Sequence, residues 1–422
     1  MRNVDAAGLG IGDDHPPRIM GVLNVSAESP YDPSVYDDPG EAAAYVDEEL
    51  IGEGADIVDV GLESANKDLD VLSVEQELDR LDTAVETLES TSGDAVWSIE
   101  TRYHEVADEA LSRGFDMVND ICGFADPEMP RVCREHDAAV SKMASPPDLE
   151  RPGAIEDVDD IYEALSMNGF TDKTILDPAF GGWSAEKTHA DDRETFHRLR
   201  EFRGYGRPLL VSINRKSFLK TIAGRSTEEA LPVSLAATSM AVERGAHVIR
   251  THDVAETRDA TLVGAEFARD RYRSGGGSDA VAVEELDVTT VREAERHLDR
   301  IGAAGATQGD RDAAGNAVVR TYELAGLDDP AVGALRAATV GGDAPVAAAF
   351  ALGDSTRERT EPTPSATDGG TGGGALGGDD PAGGRRGLLI GTPPAIESVR
   401  ASVSGVSEVL DAALDGIDLY VS

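Results

Sequence analysis

Positive charge is what this chain lacks most. Against 80 Asp and Glu it sets only 38 Lys and Arg, for a formal net charge of −42. Lysine is confined to Lys67, Lys142, Lys173, Lys187, Lys216 and Lys220. Such a surface repels nucleic acid and anionic membranes, and neither is expected as a partner. It also repels itself in dilute buffer. At molar salt the Debye length shrinks to ~3 Å and that repulsion is screened. The charge therefore reads as adaptation to a high-salt cytoplasm, as in a halophilic archaeon. The acids are spread along the chain and not gathered in one tail, so an acidic mimic of nucleic acid is the poorer reading.

Cysteine is nearly absent. Cys122 and Cys133 form no metal-ligand or redox spacing, and no Ser-His-Asp or Cys-His arrangement suggests a covalent nucleophile. No apolar run approaches the ~18 residues of a membrane span. The opening MRNVDAAGLGIGDDHPP lacks an apolar stretch followed by a small-residue cleavage site, so no secretory leader is expected. A reduced, cytoplasmic protein follows. Aromatics make up only 5%. Trp97 and Trp183 could border a ring-binding pocket, with a core role at least as good for Trp97.

What is present is a rhythm. Eight short β-rich runs alternate with amphipathic stretches: 19–25, 56–61, 95–100, 116–121, 138–143, 173–178, 208–213 and 246–251. Between them lie segments such as HEVADEALSRG, where Val106, Ala110 and Leu111 fall at helical spacing and Gly114 marks a stop. Eight strand–helix units in series predict a TIM (β/α)8 barrel over residues 1–274. An open doubly wound sheet is disfavoured, because no Gly-rich phosphate fingerprint follows the first strand. RSGGGSD (273–279) reads as a linker. An accessory α+β module is expected over 275–353 and 388–422, interrupted by a Gly/Thr/Pro/Ser-rich segment at 354–387. Within it VREAERHLDRIG, AAGNAVVRTYELAG, DPAVGALRAATVGG and PPAIESVRASVSG read as helical, and GLLIGT as a strand.

In such a barrel the active site sits where strands end. The ends here carry Asn24, Glu63, Glu100, Asn119 with Asp120, Asp177, Arg215 with Lys216, and Arg250 with His252. One polar residue at a strand end is ordinarily a cap or a loop start. A full ring of them, with both charges, is a candidate site. Glu100, Asn119 and Asp177 suit the edge of a flat, donor-rich heterocycle. Lys216, Arg250 and the nearby His252 suit a polyphosphate. Asn24 offers an oxygen to Mg2+ held mostly by phosphates and water. Lys142, at another strand end, reads more simply as an ion-pair partner, Cys122 as a packing residue, and His189 and His197 as surface.

These segments resemble a known family. IMGVLNVSAESPYD and GADIVDVGLESANKD are similar to the first and second signatures of dihydropteroate synthases. SIETRYHEVADEALSRGFDMVNDICG, ILDPAFGG, SINRKSFL and GAHVIRTHDVAET follow in the family's order. The resemblance spans about residues 18–268. It implies condensation of 6-hydroxymethyl-7,8-dihydropterin diphosphate with p-aminobenzoate, with Mg2+ as cofactor and a possible homodimer. By the same resemblance Asn24 would bind Mg2+ with the diphosphate. Asn119, Asp177 and Lys216 would contact the pterin, and Glu100 stands in the pterin pocket where the family usually has Asp. Arg250 and His252 would hold the diphosphate, and Ser217 would lie near the aminobenzoate carboxylate.

Departures gather on one side. Thr-Pro-Asp of the family's first loop is Ser26-Ala27-Glu28 here, and Thr-Arg-Pro of the second is Ala65-Asn66-Lys67. Lys67 is expected to take over part of the missing Arg's work. A longer GGWSAEKTH replaces a short Phe-Gly-Lys stretch. Two alternatives stay open: a pterin-binding paralogue with another acceptor or no catalysis, and a folate-dependent methyltransferase-type barrel. Residues 296–348 resemble an accessory segment that precedes the barrel in some bacterial members.

Overall fold

The computed structural model describes all residues except 1, 27–33, 64–70, 182–185, 275–282, 304–312, 341–347, 353–384, 418 and 420–422. The chain forms two compact units, Met1–Asp287 and Val288–Ser422. None of the helices among the described residues is long and apolar enough to cross a membrane.

The first unit opens with a hairpin, β1 (Val4–Ala6) and β2 (Leu9–Ile11). Its turn uses Ala7 and Gly8, both at positive φ (48° and 91°), which matches the twist of a two-residue hairpin. Eight parallel strands follow: β3 (Arg18–Asn24), β4 (Ile57–Gly61), β5 (Val96–Thr101), β6 (Met117–Asp120), β7 (Ala139–Met143), β8 (Thr174–Asp177), β9 (Leu210–Val211) and β10 (Val248–Thr251). All eight coincide with the runs expected from sequence, β3 and β5 each extending one residue beyond. A parallel bridge from Leu176 to Leu209 joins β8 to β9 and closes the ring. The pairings Ser98↔Met117, Ser141↔Ile175, Leu176↔Leu209 and Arg250↔Met20 carry the stagger that a closed eight-stranded barrel requires.

Side chains alternate along each strand, and the alternation separates core from lumen. Outward residues such as Ile19, Val58, Val60, Ile99, Val118 and Val140 form the main core against the surrounding helices. Trp97 belongs to this set and meets Phe115 edge-on, so it packs and does not border the site. Inward, a second cluster gathers Met20, Ile57, Val96, Met117, Ala139, Ile175, Leu210 and Val248, and Val4, Ala6 and Ile11 of the hairpin plug it from below. The hairpin's role was invisible in the sequence, where its three-residue strands carry too few apolar residues to stand out.

Below the plug, Asp13, its side chain only 4% exposed, accepts from His247 Nε2 (3.0 Å), Arg203 Nη2 (3.0 Å) and Arg271 Nη2 (3.1 Å). Burial would raise its carboxyl pKa, but the His247 hydrogen bond and Arg203 outweigh it and hold the group well below the usual range. Arg271 lies beyond the last barrel helix. From there Arg273–Ser274 pairs with Val283–Glu284, and Arg269 and Arg200 reach Glu285 and Asp287. These ties carry the first unit to Asp287, past the boundary at 274 expected from sequence. The expected linker and the Gly-rich 354–387 segment lie almost wholly outside the described residues.

The second unit has a three-stranded antiparallel sheet of Arg320–Leu327, Arg385–Gly391 and Ala349–Leu352, with the Arg385–Gly391 strand central. Helices Asp329–Val340, Pro393–Val403 and Glu408–Asp415 contribute Leu335, Ile396, Val399 and Leu414 to its core. A fourth helix, Val291–Arg300, starts on a Thr290–Glu293 capping box. Residues 320–327 correct the helical reading of AAGNAVVRTYELAG. The β-branched and aromatic run through Val318, Val319, Thr321 and Tyr322 favours a strand, and pairing with Arg385–Gly391 completes it.

Candidate active site

One step up from the apolar plug, the inward side chains change character. Ile57 gives way to Asp59, Val96 to Ser98, Met117 to Asn119, Ala139 to Ser141, Ile175 to Asp177, Leu210 to Ser212 and Val248 to Arg250. Only Val22 keeps the row apolar on β3. Each change occurs two residues along one strand, so the same pleat that buries the plug aims these groups into the lumen.

Asp59 is the hub of this row, wholly buried in mid-strand. It accepts from Ser98 Oγ (2.7 Å), Asn119 Nδ2 (3.0 Å) and Arg250 Nε (2.7 Å). Arg250 Nη2 also donates to Glu100 (2.7 Å). Burial alone would lower the Arg250 pKa, but Glu100 and Asp59 outweigh it, and Arg250 stays firmly charged. Burial pushes the Glu100 carboxyl up, with Arg250 acting against it. The strand-end reading overlooked Asp59. The signal was there: a lone acid between Val58 and Val60.

Across the lumen, Asp177 accepts from the backbone of Ala179 (2.8 Å). Burial raises its pKa to about 6, against that hydrogen bond and the nearby Lys216. Lys216 is displaced downward by burial and by Arg250. It precedes the helix Ser217–Ala223 and lies against Gly181, where a Cβ would come within 2.8 Å of Nζ. Gly181 sits at φ 115°, so glycine serves both the backbone and the ammonium. Lys187, from the lengthened segment, donates to Ala179 O (2.7 Å) and pairs with buried Asp192 (3.3 Å), which also accepts from Gly181 N (3.1 Å). That lysine props the loop on which Lys216 rests.

Glu100, Asn119, Asp177, Lys216 and Arg250 thus line one cavity of about 20 Å³, with Ile121, Met143, Ala179, Phe180 and Ser212. Asn24 and His252 stand at the next inward positions of β3 and just beyond β10. Asn24 donates Nδ2 to Ser34 Oγ (2.9 Å), and its oxygen lies against Gly61. His252 is pushed down to about 3 by burial and then by Arg250. That shift favours a neutral imidazole at ordinary pH. Ser217 is exposed at the start of its helix. Lys67, Trp183 and most of the first loop lie outside the described residues.

Three strand-end candidates are committed to other parts of the protein. Asp120, one residue past Asn119, caps the turn through Cys122 N (2.8 Å) and Phe124 N (2.7 Å). Arg215 braces Asp253 with two bonds of 2.8 Å. Glu63 accepts from Leu72 N (3.0 Å) and Arg102 Nη2 (2.6 Å), clasping both ends of the second loop. Lys142 points outward and donates to the carbonyls of Leu165, Met167 and Gly169. It satisfies the end of the helix Val158–Ser166 and not an ion pair. Cys122 and Cys133 are buried, and desolvation pushes the Cys133 thiol up to about 12, so it packs. Among the described residues one His–carboxylate cluster could hold a metal, His104, Glu105 and Asp126, outside this lumen.

The pattern of the pterin binding enzyme family matches residues 20–252. Dihydropteroate synthase of Bacillus subtilis is 31% identical over 242 residues, 56% of this chain and 83% of that protein. A probable bifunctional folylpolyglutamate synthase/dihydropteroate synthase of Halobacterium salinarum is 34% identical over 263 residues, 60% of this chain; the match spans 31% of that longer protein. Among solved structures, a dihydropteroate synthase of Coxiella burnetii in complex with pteroic acid aligns at a TM-score of 0.54 and 28% identity, covering 63% of this chain and 98% of that one.

Proposed function

Because the chain belongs to the pterin-binding enzymes, among their dihydropteroate synthases, we propose that it condenses 6-hydroxymethyl-7,8-dihydropterin diphosphate with p-aminobenzoate. The products would be 7,8-dihydropteroate and diphosphate, a transferase step of folate biosynthesis. One observation carries this reading. A ring of acceptors and cations sits on the inward pleat directly above an apolar plug, in one lumen.

The hydrogen bonds already made decide what each group offers. Asn119 spends its amide nitrogen on Asp59, which leaves its oxygen for a ligand donor. Asp177, ionised, offers a second acceptor across the lumen. Two acceptors suit the amino and ring N–H groups on one edge of a pterin. Lys216 and Arg250 supply positive field where the diphosphate departs, and neutral His252 can still donate one hydrogen bond to it. Glu100 and Asp59 fix Arg250 in place, so it is oriented before substrate arrives.

Asn24 fits a role toward Mg2+. Its nitrogen is committed to Ser34, which leaves one neutral oxygen at the strand ends. A single protein oxygen suits an ion carried in mainly by phosphates and water. When bound, Mg2+ would neutralise charge on the departing diphosphate. The carbon–oxygen bond to the diphosphate breaks and the oxygen keeps the electron pair. The electron-rich ring stabilises the methylene carbon, the arylamine nitrogen bonds to it, and the amine's proton passes to water. No side chain need become covalently attached. Ser217, exposed at the lumen's edge, is placed to meet the aminobenzoate carboxylate.

Diphosphate release from the dihydropterin substrate, in molar KCl with Mg2+, tests the reading. Release that requires p-aminobenzoate supports it. Pterin binding without release in either condition would identify a non-catalytic paralogue. A methyl-transferring barrel would leave the Lys216–Arg250 pair without a task, and it predicts no diphosphate chemistry at all.

A further inference from the structure

Ser141 is a short polar side chain of the inward row that is buried without a hydrogen bond. It is fully buried, and its Oγ has no partner in the structure. Its direction is settled by its neighbours on β7. Ala139, two residues before, lies in the apolar plug, and Met143, two after, lines the cavity. It is paired in register with Asn119 on one side and with Ile175, two residues before Asp177, on the other. A buried hydroxyl left unpaired destabilises the fold, so its place among Asn119 and Asp177 calls for a reason.

The cavity's size supplies one. About 20 Å³ holds little more than one water, and a bicyclic ring cannot enter without displacing side chains. Lys216 and Met143 are long enough to swing aside. Asn119, Asp177 and Ser141 are short and stay where the strands put them. Withdrawal of the long side chains would therefore uncover the Ser141 hydroxyl at the floor of the pocket, beside the two acceptors assigned to the ring edge.

We propose that Ser141 hydrogen-bonds the polar edge of the bound pterin ring, as a third fixed contact alongside Asn119 and Asp177. This rests on the reading of the lumen as a pterin site. A hydroxyl both donates and accepts, so it can serve a ring nitrogen or carbonyl that two acceptors alone leave unsatisfied. It would favour heterocycles with a polar group at that position over analogues carrying C–H there.

The test compares wild type with Ser141→Ala in molar KCl. Dissociation constants for the dihydropterin diphosphate and for pteroic acid are measured by calorimetry, KM for p-aminobenzoate by kinetics, and melting temperature alongside. The expected result is at least fivefold weaker binding of both pterins, an arylamine KM within twofold, and an unchanged or higher melting temperature. Ser141→Thr, which keeps the hydroxyl, should bind more tightly than the Ala variant. Pterin affinity within twofold of wild type in the Ala variant overturns the inference alone. So does weaker binding accompanied by a melting temperature several degrees lower, which would assign Ser141 to packing. No pterin binding by the wild type would overturn the reading of the site, and this inference with it.

Discussion

Within the barrel two rows of side chains lie two residues apart on the same strands and do opposite work. The lower row, from Met20 through Ile57 to Val248, is apolar and sealed by the hairpin. The upper row, from Asp59 through Asn119 and Asp177 to Arg250, is polar and bonded chiefly to itself. A barrel interior needs filling more than it needs polarity. The lower row meets that need, so the upper row can carry buried charge that a core would not otherwise tolerate. Stability and chemistry are divided by one pleat.

The division breaks first at Asp59, the member of the upper row that holds the others. Asp59→Ala removes an acceptor shared by three donors and strands Arg250 with only Glu100. Removing one side of a buried ion pair typically costs ~3–5 kcal/mol. Denaturant unfolding in molar KCl should show that loss, together with loss of pterin binding. Ile57→Ala, two residues below on the same strand, should cost about 3 kcal/mol by leaving a cavity, while pterin affinity in the folded fraction stays within about twofold. If Ile57→Ala lowered affinity as much as stability, the two rows would not be separable.

How much of this was legible follows from the same pleat. The eight strands could be read because β-branched runs recur after Gly-Ala-Asp, Gly-Phe-Asp and Gly-Ala-His, and no competing period masks them. Asn119, Asp177, Lys216 and Arg250 were found by looking at strand ends. That rule counts along the chain and ignores direction, so it admitted Asp120, which faces outward, and passed over Asp59 in mid-strand. Counting by two from each apolar inward residue would have added Asp59 and set Asp120 aside. The hairpin plug and the Asp13 ion cluster had no local signature, because each depends on partners far away in sequence. The second unit's strand at 320–327 was taken for helix because Ala, Glu and Leu in its surroundings favour helix, whereas pairing with a distant strand decides it.

Lys216 tests the upper row without touching the lower one. Burial already disfavours its charged form, so removing the ammonium should cost the fold little. Lys216→Ala should instead weaken binding of the pterin diphosphate by roughly 1.5–3 kcal/mol, the range for a charged hydrogen bond. Calorimetric titration at fixed salt reads this directly. Unchanged affinity in a folded variant would take Lys216 out of the site.

The smallest effect concerns the proton on Asp177. Burial lifts its pKa to about 6 in the free protein, while the Ala179 N–H, Lys216, Arg250 and Lys187 pull the other way. For folding the sign is clear. An acid raised above its unfolded value of 3.8 favours the fold most at low pH, and that contribution is lost as pH rises from ~4 to ~6. Binding should run in the opposite sense. A ring edge that donates N–H bonds needs the carboxylate, so the bound pKa must lie below the free one. Affinity should then be flat above pH 7 and fall by about tenfold by pH 5, close to 1.4 kcal/mol. Glu77, raised to about 7 by burial, and Asp120, raised to about 6, titrate in the same range but sit outside the lumen. Asp177→Asn separates them. That variant should bind pterin more weakly at pH 8 and show little change between pH 8 and 5. Were it to keep the wild-type pH profile, the titrating group would be another acid, and Asp177 would not be the ring's acceptor.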